Sequence, residues 1–463
     1  MKIAYSGKFL KEGFLKLGHD VIEFDGQDQP GRANDFAAEK AELAIVEFYG
    51  GFSRLDLVER VDAPLAAYFI DSPLNEFWIR ELAPTIDYVF VDQPQCVKSL
   101  AAAGIHAEWL PLPARDEYFQ PPREKRHDIT FIGTVDARRI KRNNLLKLIG
   151  SKREINIQRG LPVRVAQEIF SQSKIILNEN LFPGLTMRVG QGLGAGTIGL
   201  TEKAPFGDDF GLKDHEDLLY FGSEDILSII DQVLAHYEDY SQIAEAGRQK
   251  CRVLYSSEKV AASILGSINT NRKERAPSPD DFRWAFNNAK HLFALRYGGN
   301  LSGIYANYKQ FAATEDMRRS SALVGMGDIL ARAGKIREAT ARYDEAMNSG
   351  SVPEAYLRAA SLRVASEEPG EAIKILNLFR ANFPEYASPL SPAELADRKD
   401  SATRAIMAIA KIYYRMGRRW DMGLQKSFND SVSGSALETA RLSWIRYNNP
   451  DAFTANSGLS GAL

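Results

Sequence analysis

"LTMRVGQGLGAGTIGL" (185–200) sets Gly190, Gly192 and Ala195 in the G-x-G-x-x-A spacing that can mark a dinucleotide-binding turn. Such a turn must follow a strand and open a helix. Here the preceding "ENLFPGLT" (179–186) reads as a loop, the glycines fall inside a helix beginning near Met187, and "TIGLT" (197–201) follows as a strand. This order is wrong for a nicotinamide fingerprint. Leu185, Val189 and Leu193 recur at i, i+4 and i+8, which gives the helix a buried stripe. Each glycine inside it costs ~1 kcal/mol against alanine. Close packing of the helix on its sheet, or close approach of a ligand to its first turns, can offset that cost.

On either side of this stretch the chain alternates apolar runs with helical patterns. The first set is KIAYSG (2–7), DVIEFD (20–25), LAIVEF (43–48), LAAYFID (65–71), DYVFVDQ (87–93) and AEWLPLP (107–113). After the polar "QPPREKRHD" (120–128) come ITFIGT (129–134), INIQ (155–158), KIILNE (174–179), TIGLTE (197–202) and LLYFGS (218–223). Strands separated by helices predict two α/β domains, each a doubly wound, Rossmann-like parallel sheet. Beyond Ser256 the strand signal ends, "NRKERAPSPDD" (271–281) reads as a linker, and the remainder is helical in pattern. The boundaries are 1–122, 123–270 and 271–463. In the last unit Leu323, Gly327, Leu330, Ala339, Tyr343 and Ala346 take tetratricopeptide spacing, and Ala372, Leu376, Phe379 and Pro384 follow at the corresponding positions. An all-α repeat domain is expected, with an unrelated helical bundle as the other reading.

Composition narrows the function. The 463 residues are 44% hydrophobic with a formal net charge of −2, which removes the basic footprint of a nucleic-acid binder. Two cysteines, Cys96 and Cys251, are too few for a disulfide framework and read as small buried hydrophobes. No apolar run approaches the ~18 residues of a membrane span, so a cytoplasmic protein is expected. Phosphate-loop, zinc-protease and nucleophile-elbow motifs are missing from the sequence. Asp209, Asp214 and His215 match no standard metal cage, so no metal and no cofactor are expected.

In a doubly wound domain the ligand lies beyond the carboxyl ends of the strands, so residues just after strands are the candidates. In the first domain these are Gly7 and Lys8, Glu47, Asp71 and Asp92. Asp71 precedes Ser72-Pro73 and reads either as a general base or as a helix N-cap. In the second domain Gly133 and Thr134 end a strand, followed by Arg138, Arg139 and Arg142. These arginines form either a diphosphate clamp or a solvated helix face.

"KIILNEN" (174–180), "MRVGQGLGAGTIGLTE" (187–202), "YFGSEDILSIIDQVL" (220–234) and "IAEAGRQKCRVLYS" (243–256) resemble the C-terminal half of CgeB-like (spore-maturation-protein-like) glycosyltransferases of the GT-B fold. "DITFIGT" (128–134) and "WLPLPARDEYFQP" (109–121) are similar to that family as well. The resemblance covers roughly 1–260. It implies a nucleotide-sugar donor (UDP-, GDP-, TDP- or CMP-linked) in the second domain and an acceptor in the first, with transfer across the cleft without a metal. Arg188 matches the family arginine that meets the donor diphosphate, and Asn178 the asparagine before the donor loop. Gln191 stands where the family usually has a glutamate on the ribose, and Gly190 replaces a bulkier residue; Gly192 lies on the same helix. An amide offers one acceptor oxygen where a carboxylate accepts from two hydroxyls. Stacked helical repeats form concave surfaces suited to a polypeptide. The expected acceptor is therefore a protein Ser or Thr, for example on flagellin or another surface protein. The alternatives are an acceptor in surface polysaccharide synthesis, with the repeats serving homo-oligomer formation, or a non-catalytic scaffold with a decayed donor site.

Overall fold

A computed structural model describes residues 1–23, 41–48, 63–121, 123–136, 139–180, 182, 184–204, 207–222, 224–270, 278–314, 317–349, 352–366, 368–386, 405, 408, 409 and 412. The chain divides into two compact units, Met1–Phe282 and Arg283–Leu463. The first unit holds both α/β domains.

The first sheet contains β1 (Lys2–Ser6), β2 (Asp20–Glu23), β3 (Leu43–Phe48), β4 (Leu65–Phe69), β5 (Tyr88–Val91) and β6 (Glu108–Trp109). Its order is β2-β1-β3-β4-β5-β6, with every pair parallel. All six residues of β3 and all five of β4 are buried, which is why those strands read as continuous apolar runs. Helices α1 (Lys11–Lys16), α2 (Ser72–Leu82) and α3 (Pro94–Ala101) are the described crossovers.

The second sheet contains β7 (His127–Ile132), β8 (Asn156–Gln158), β9 (Ser173–Asn178), β10 (Ile198–Glu202) and β11 (Leu219–Phe221), in the order β11-β10-β9-β7-β8, again all parallel. Its helices are α4 (Ile140–Gly150), α5 (Val163–Ser171), α6 (Met187–Gly194), α7 (Ile226–Ala235) and α8 (Tyr237–Tyr255). Helix α6 falls where the sequence reading puts it, between a loop and β10. Cys96 and Cys251 are free and buried.

The chain crosses between the domains twice, and the two crossings touch. Ala114 N–H donates to Tyr255 O, and Ser257 N–H donates to Ala114 O at 3.2 Å. Beyond the second crossing, α9 (Ser257–Thr270) carries Val260, Ala261 and Ile264 into the core of the first domain beside Phe14. The packing is close: a Cβ on Gly13 would lie 2.2 Å from Ser257 O. The sequence pattern assigns 257–270 to the second domain, whereas its apolar face is buried on the first. Two Rossmann-like domains face each other across a cleft, which is the GT-B arrangement.

The second unit is helical throughout its described residues. It includes α10 (Pro279–Tyr297, from Arg283 on), α11 (Ser302–Ala312), α12 (Arg319–Arg332), α13 (Ile336–Ser349), α14 (Pro353–Ala365) and α15 (Pro369–Asn382). Consecutive helices from α11 to α15 pack on one another. A Cβ on Gly327 would lie 2.4 Å from the Tyr343 ring, so the glycine lets α12 and α13 close together. Leu323, Leu330, Ala339, Tyr343, Ala346, Ala372, Leu376 and Phe379 share one core. Asp328 is buried in it, accepting from Tyr343 Oη at 2.6 Å and pairing with Arg358 at 3.3 Å. A buried carboxylate needs such partners.

Candidate functional site

Both sheets follow one rule of order: the first strand has its successor on one side and the third strand on the other. A ligand crevice opens at that switch point, beyond the carboxyl ends of the two central strands. In the second domain these are β7 and β9, which end beside Gly133 and Asn178.

Arg188, in the first turn of α6, reaches into this crevice. Its Nε donates to Ile132 O at 2.8 Å and its Nη1 to Asn178 Oδ1 at 2.7 Å, while the guanidinium lies 4.4 Å from the Phe131 ring centre. Gly133 is required by this arrangement, because a Cβ there would lie 2.4 Å from Arg188 Nη2. Asn178 spends both ends of its amide on positioning. Its Oδ1 also accepts from Thr186 Oγ1 at 2.7 Å, and its Nδ2 donates to Asn180 Oδ1 and Thr201 Oγ1. Since Thr186 turns its hydroxyl to Asn178, the N-terminus of α6 has no side-chain cap. A helix start with open N–H groups beside a guanidinium suits an anion.

Arg142 completes the cation pair. It is buried, donating from Nε to Glu179 Oε2 at 2.8 Å and from Nη1 to Thr134 O at 2.8 Å, and it lies 5.3 Å from the same Phe131 ring. Burial, followed by the charge of Arg142, pushes the Arg188 pKa down to about 9, with Glu179 opposing. Arg188 stays protonated at neutral pH. Thr134 itself is exposed, and Arg138 lies outside the described residues. Arg139 occupies the N-cap position of α4.

At the switch point of the first domain, between β1 and β3, the chemistry is inverted. Glu47 is buried, and its carboxylate accepts from Tyr5 Oη at 2.6 Å and from the backbone N–H groups of Lys8 at 2.7 Å and Phe9 at 3.0 Å. Tyr5 Oη in turn accepts from Phe9 and Leu10 N–H. Burial raises the Glu47 pKa, and these hydrogen bonds pull it back. Gly7 makes room, since a Cβ there would lie 2.4 Å from Tyr5 Oη and 2.5 Å from Glu47 Cδ. Glu47 thus holds the loop of Gly7 and Lys8 from beneath.

Asp92, fully buried after β5, plays a comparable part for α2. Its Oδ1 accepts from Ser72 N–H at 2.9 Å and from Ser72 Oγ, and its Oδ2 accepts from Asp71 N–H at 2.9 Å and Gln93 Nε2 at 3.2 Å. The helix start is therefore capped by a neighbouring strand end. Asp71 occupies the N-cap position with left-handed backbone (φ 54°, ψ 39°), yet its own carboxylate makes no capping bond. Burial, then the nearby Asp92 charge, raises the Asp71 pKa to about 6, against a lowering pull from Arg139. A half-buried carboxylate tuned this way can accept a proton near neutral pH.

The two domains meet along a narrow cleft. Asp92 and Gln93 line it from the first domain, Pro111 and Leu112 from the crossing, and Met187 and Gly190 from α6. Gln93 bridges the sides, donating from Nε2 to Leu185 O at 2.8 Å. Gly184 permits this, for a Cβ there would lie 2.1 Å from Gln93 Oε1. Gln191 is half-buried with its carbonyl accepting from Gln167 Nε2, and it is not among the cleft-lining residues. Gly192 packs on Ile176. Among the described residues no group of three or more His, Cys, Asp or Glu converges as a metal site, and no helix is long and apolar enough to cross a membrane.

The sequence reading left out Glu179 and Gln93. Glu179 follows a strand directly and is accessible to the rule that strand ends face the crevice. Gln93 reaches the opposite domain through Leu185 O, a contact that no local signal marks.

Residues 123–266 match a protein family described as glycosyl transferase-like. This segment contains the Arg188, Asn178 and Arg142 cluster. No curated protein matches the sequence. Among solved structures, HepE from Anabaena in complex with UDP-glucose is similar over 58% of this chain and 100% of its own, at 9% identity and a TM-score of 0.42. Sucrose-phosphate synthase from Thermosynechococcus elongatus is similar over 58% of this chain and 98% of its own, at 11% identity and a TM-score of 0.43. The pneumococcal O-GlcNAc transferase GtfA in complex with UDP and GlcNAc covers 52% of this chain and 58% of its own, at 11% identity and a TM-score of 0.36.

Proposed function

We propose that the chain is a glycosyltransferase that moves a sugar from a nucleoside-diphosphate sugar to a hydroxyl acceptor without a metal. The observation that carries this reading is the placement of Arg188, beside the uncapped start of α6, inside the segment that matches the glycosyl transferase-like family. The donor diphosphate binds at this helix start and Arg188. As the bond between the anomeric carbon and the diphosphate oxygen breaks, the electron pair leaves with the diphosphate. Fixed cations and backbone N–H groups stabilise that charge without reorganising. Asp71, on the facing domain, takes the acceptor hydroxyl proton as the new glycosidic bond forms. Its pKa of about 6 keeps it ionised at neutral pH and still basic enough to work.

The acceptor in this reading is a protein Ser or Thr, such as one on flagellin, held by the helical unit. The serial packing of α11 to α15 and the Gly327–Tyr343 contact support a tetratricopeptide-like array, whose concave side suits an extended chain. Intact-mass analysis of surface proteins, with and without this protein, tests both ideas together. A hexose-like or deoxyhexose-like increment that depends on it supports the reading. Titration with UDP, GDP, TDP and CMP sugars tests the donor site alone, and silence toward all of them overturns it. Gln191→Glu sharpens the nucleotide position: a rise in donor affinity with turnover retained places Gln191 at the ribose, and no change removes it from there.

A second reading, a non-catalytic scaffold, rests on Gln191 standing in place of the usual glutamate. Sugar-dependent turnover excludes it.

A further inference from the structure

The charges of the second α/β domain are sorted along the chain. Residues 123–174 hold 13 Lys and Arg against 5 Asp and Glu, whereas residues 202–245 hold 2 against 12. The fold turns that order into geometry. The basic stretch contains β7 and β8 with α4 and α5, the acidic stretch contains β11, and β8 and β11 are the two edges of the sheet. Part of this opposition is settled internally, where Lys141 pairs with Glu202 at 2.6 Å and Arg153 with Asp231 at 2.8 Å. Around the basic edge Lys147 on α4, Arg159 just past β8 and Arg164 on α5 are exposed. Arg164 lies in the first turn of α5, where the helix dipole disfavours a cation, so the helix itself does not explain it.

Each of these cations has an exposed apolar neighbour in sequence. Leu148, Ile157 and Val165 are 43, 42 and 40% exposed, one on each of α4, β8 and α5. Exposed apolar side chains scattered singly are ordinary, but these are clustered. Of the seven large apolar residues exposed among the described residues of Met1–Phe282, four fall within 140–165, the fourth being Ile140 at the start of α4. Charges by themselves guard an open sheet edge against pairing, whereas an exposed isoleucine in the edge strand does the opposite. Both features suit contact with a surface that has an anionic outer layer over an apolar interior.

We propose that the β8 edge of the second domain docks on an anionic lipid surface. Lys147, Arg159 and Arg164 meet the headgroup phosphates, while Leu148, Ile157 and Val165 enter the boundary between headgroups and acyl chains. With a formal net charge of −2 the whole chain has no general attraction to such a surface, so the sorting of charge decides which edge approaches. The acidic stretch, where Asp209, Asp214 and Glu216 are exposed, is repelled. None of the docking residues belongs to the Arg188 cluster, so this contact stands or falls apart from the glycosyltransferase reading.

The experiment is co-sedimentation of the full chain with vesicles of phosphatidylcholine alone and of phosphatidylcholine containing phosphatidylglycerol, at low and high salt. Binding is expected only where the anionic lipid is present, and it weakens as salt screens the surface. Arg159→Glu combined with Arg164→Glu should lower the partition by about tenfold or more, and Leu148→Gln combined with Val165→Gln should lower it by about threefold or more with all charges kept. All four positions are exposed, and an unchanged melting temperature shows that each variant is folded. Donor titration should be the same in both variants and the wild type, which separates failure of docking from failure of the donor site. Absence of wild-type binding, or equal binding to both vesicle types, overturns the proposal. Binding to anionic vesicles that both double variants retain in full places the contact elsewhere and overturns it too. Salt-sensitive self-association in sedimentation velocity, without vesicle binding, assigns the basic edge to the acidic stretch of a second copy and overturns the lipid contact.

Discussion

The two α/β domains share one strand order and load it with opposite charge. At the switch point of the first, the loop N–H groups of Lys8 and Phe9 point at a carboxylate from within the chain, Glu47. At the switch point of the second, the loop after β7 is held open by Gly133 and faced by Arg188, with Arg142 on the far side of Phe131. Backbone amides at such a turn attract an anion in either case. In the first domain the anion is internal, so the turn is already satisfied. In the second the internal carboxylate, Glu179, pairs with Arg142 instead of the turn, and the turn is faced by Arg188 beside the uncapped start of α6. Equal folds therefore separate into a carboxylate side and a cationic side.

The sharpest way to break this contrast is Asp71→Asn. If Asp71 is the base, transfer falls by about 10²–10⁴-fold while nucleotide affinity is unchanged, as steady-state kinetics and titration would show. The substitution also has a signed effect on stability. The native pKa of Asp71 is raised to about 6, so its stabilising protonation is present below the ordinary aspartate pKa and lost as pH rises through about 6. Asparagine tolerates the left-handed backbone at this position. Asp71→Asn should therefore melt above the wild type at pH 8, and that advantage should vanish in acid.

On the cationic side, Arg188→Ala should lower transfer by about 10²–10³-fold and weaken donor binding as well, because it removes fixed charge from the leaving diphosphate. A fall in transfer with donor affinity intact would place the diphosphate elsewhere. Glu47→Gln tests the internal anion. The new amide sets an N–H₂ group against backbone donors, and the variant should lose roughly 1–3 kcal/mol in urea unfolding with donor affinity unaffected. The smallest effect is a displacement. Activity governed by Asp71 rises with pH through about 6, and Asp92→Asn removes the neighbouring charge that helps hold that value up. Its acid limb should move to lower pH, a shift that a purely structural role for Asp92 does not produce.

Much of the fold was legible along the chain. Buried parallel strands are apolar at every position, so β3 and β4 stand out as runs, and both domains follow from the alternation of such runs with helices. Strand ends then pointed to Asp71 and Gly133, and the family resemblance to Asn178. What each residue does at its strand end was less accessible. Asn178, read as a donor contact, spends its amide on Arg188, Thr186, Asn180 and Thr201. Asp92 and Glu47, read as cleft carboxylates, hold backbone N–H groups. These partners lie from 2 to 39 residues away, and hydrogen-bond direction leaves no periodic trace in sequence.

The opening glycines show the same division. Spacing and order alone determined that "GQGLGAG" is a late helix of a second Rossmann-like domain rather than a nicotinamide fingerprint. Only the tertiary structure separated its glycines, pressing Gly192 onto Ile176 and Gly194 onto Tyr118 while leaving Gly190 open to the cleft. It also returned α9 to the first domain, where Val260 and Ile264 complete a core whose other members lie more than a hundred residues earlier. Periodicity reports which face of an element is buried. What that face is buried against is settled by long-range packing, which a local pattern does not encode.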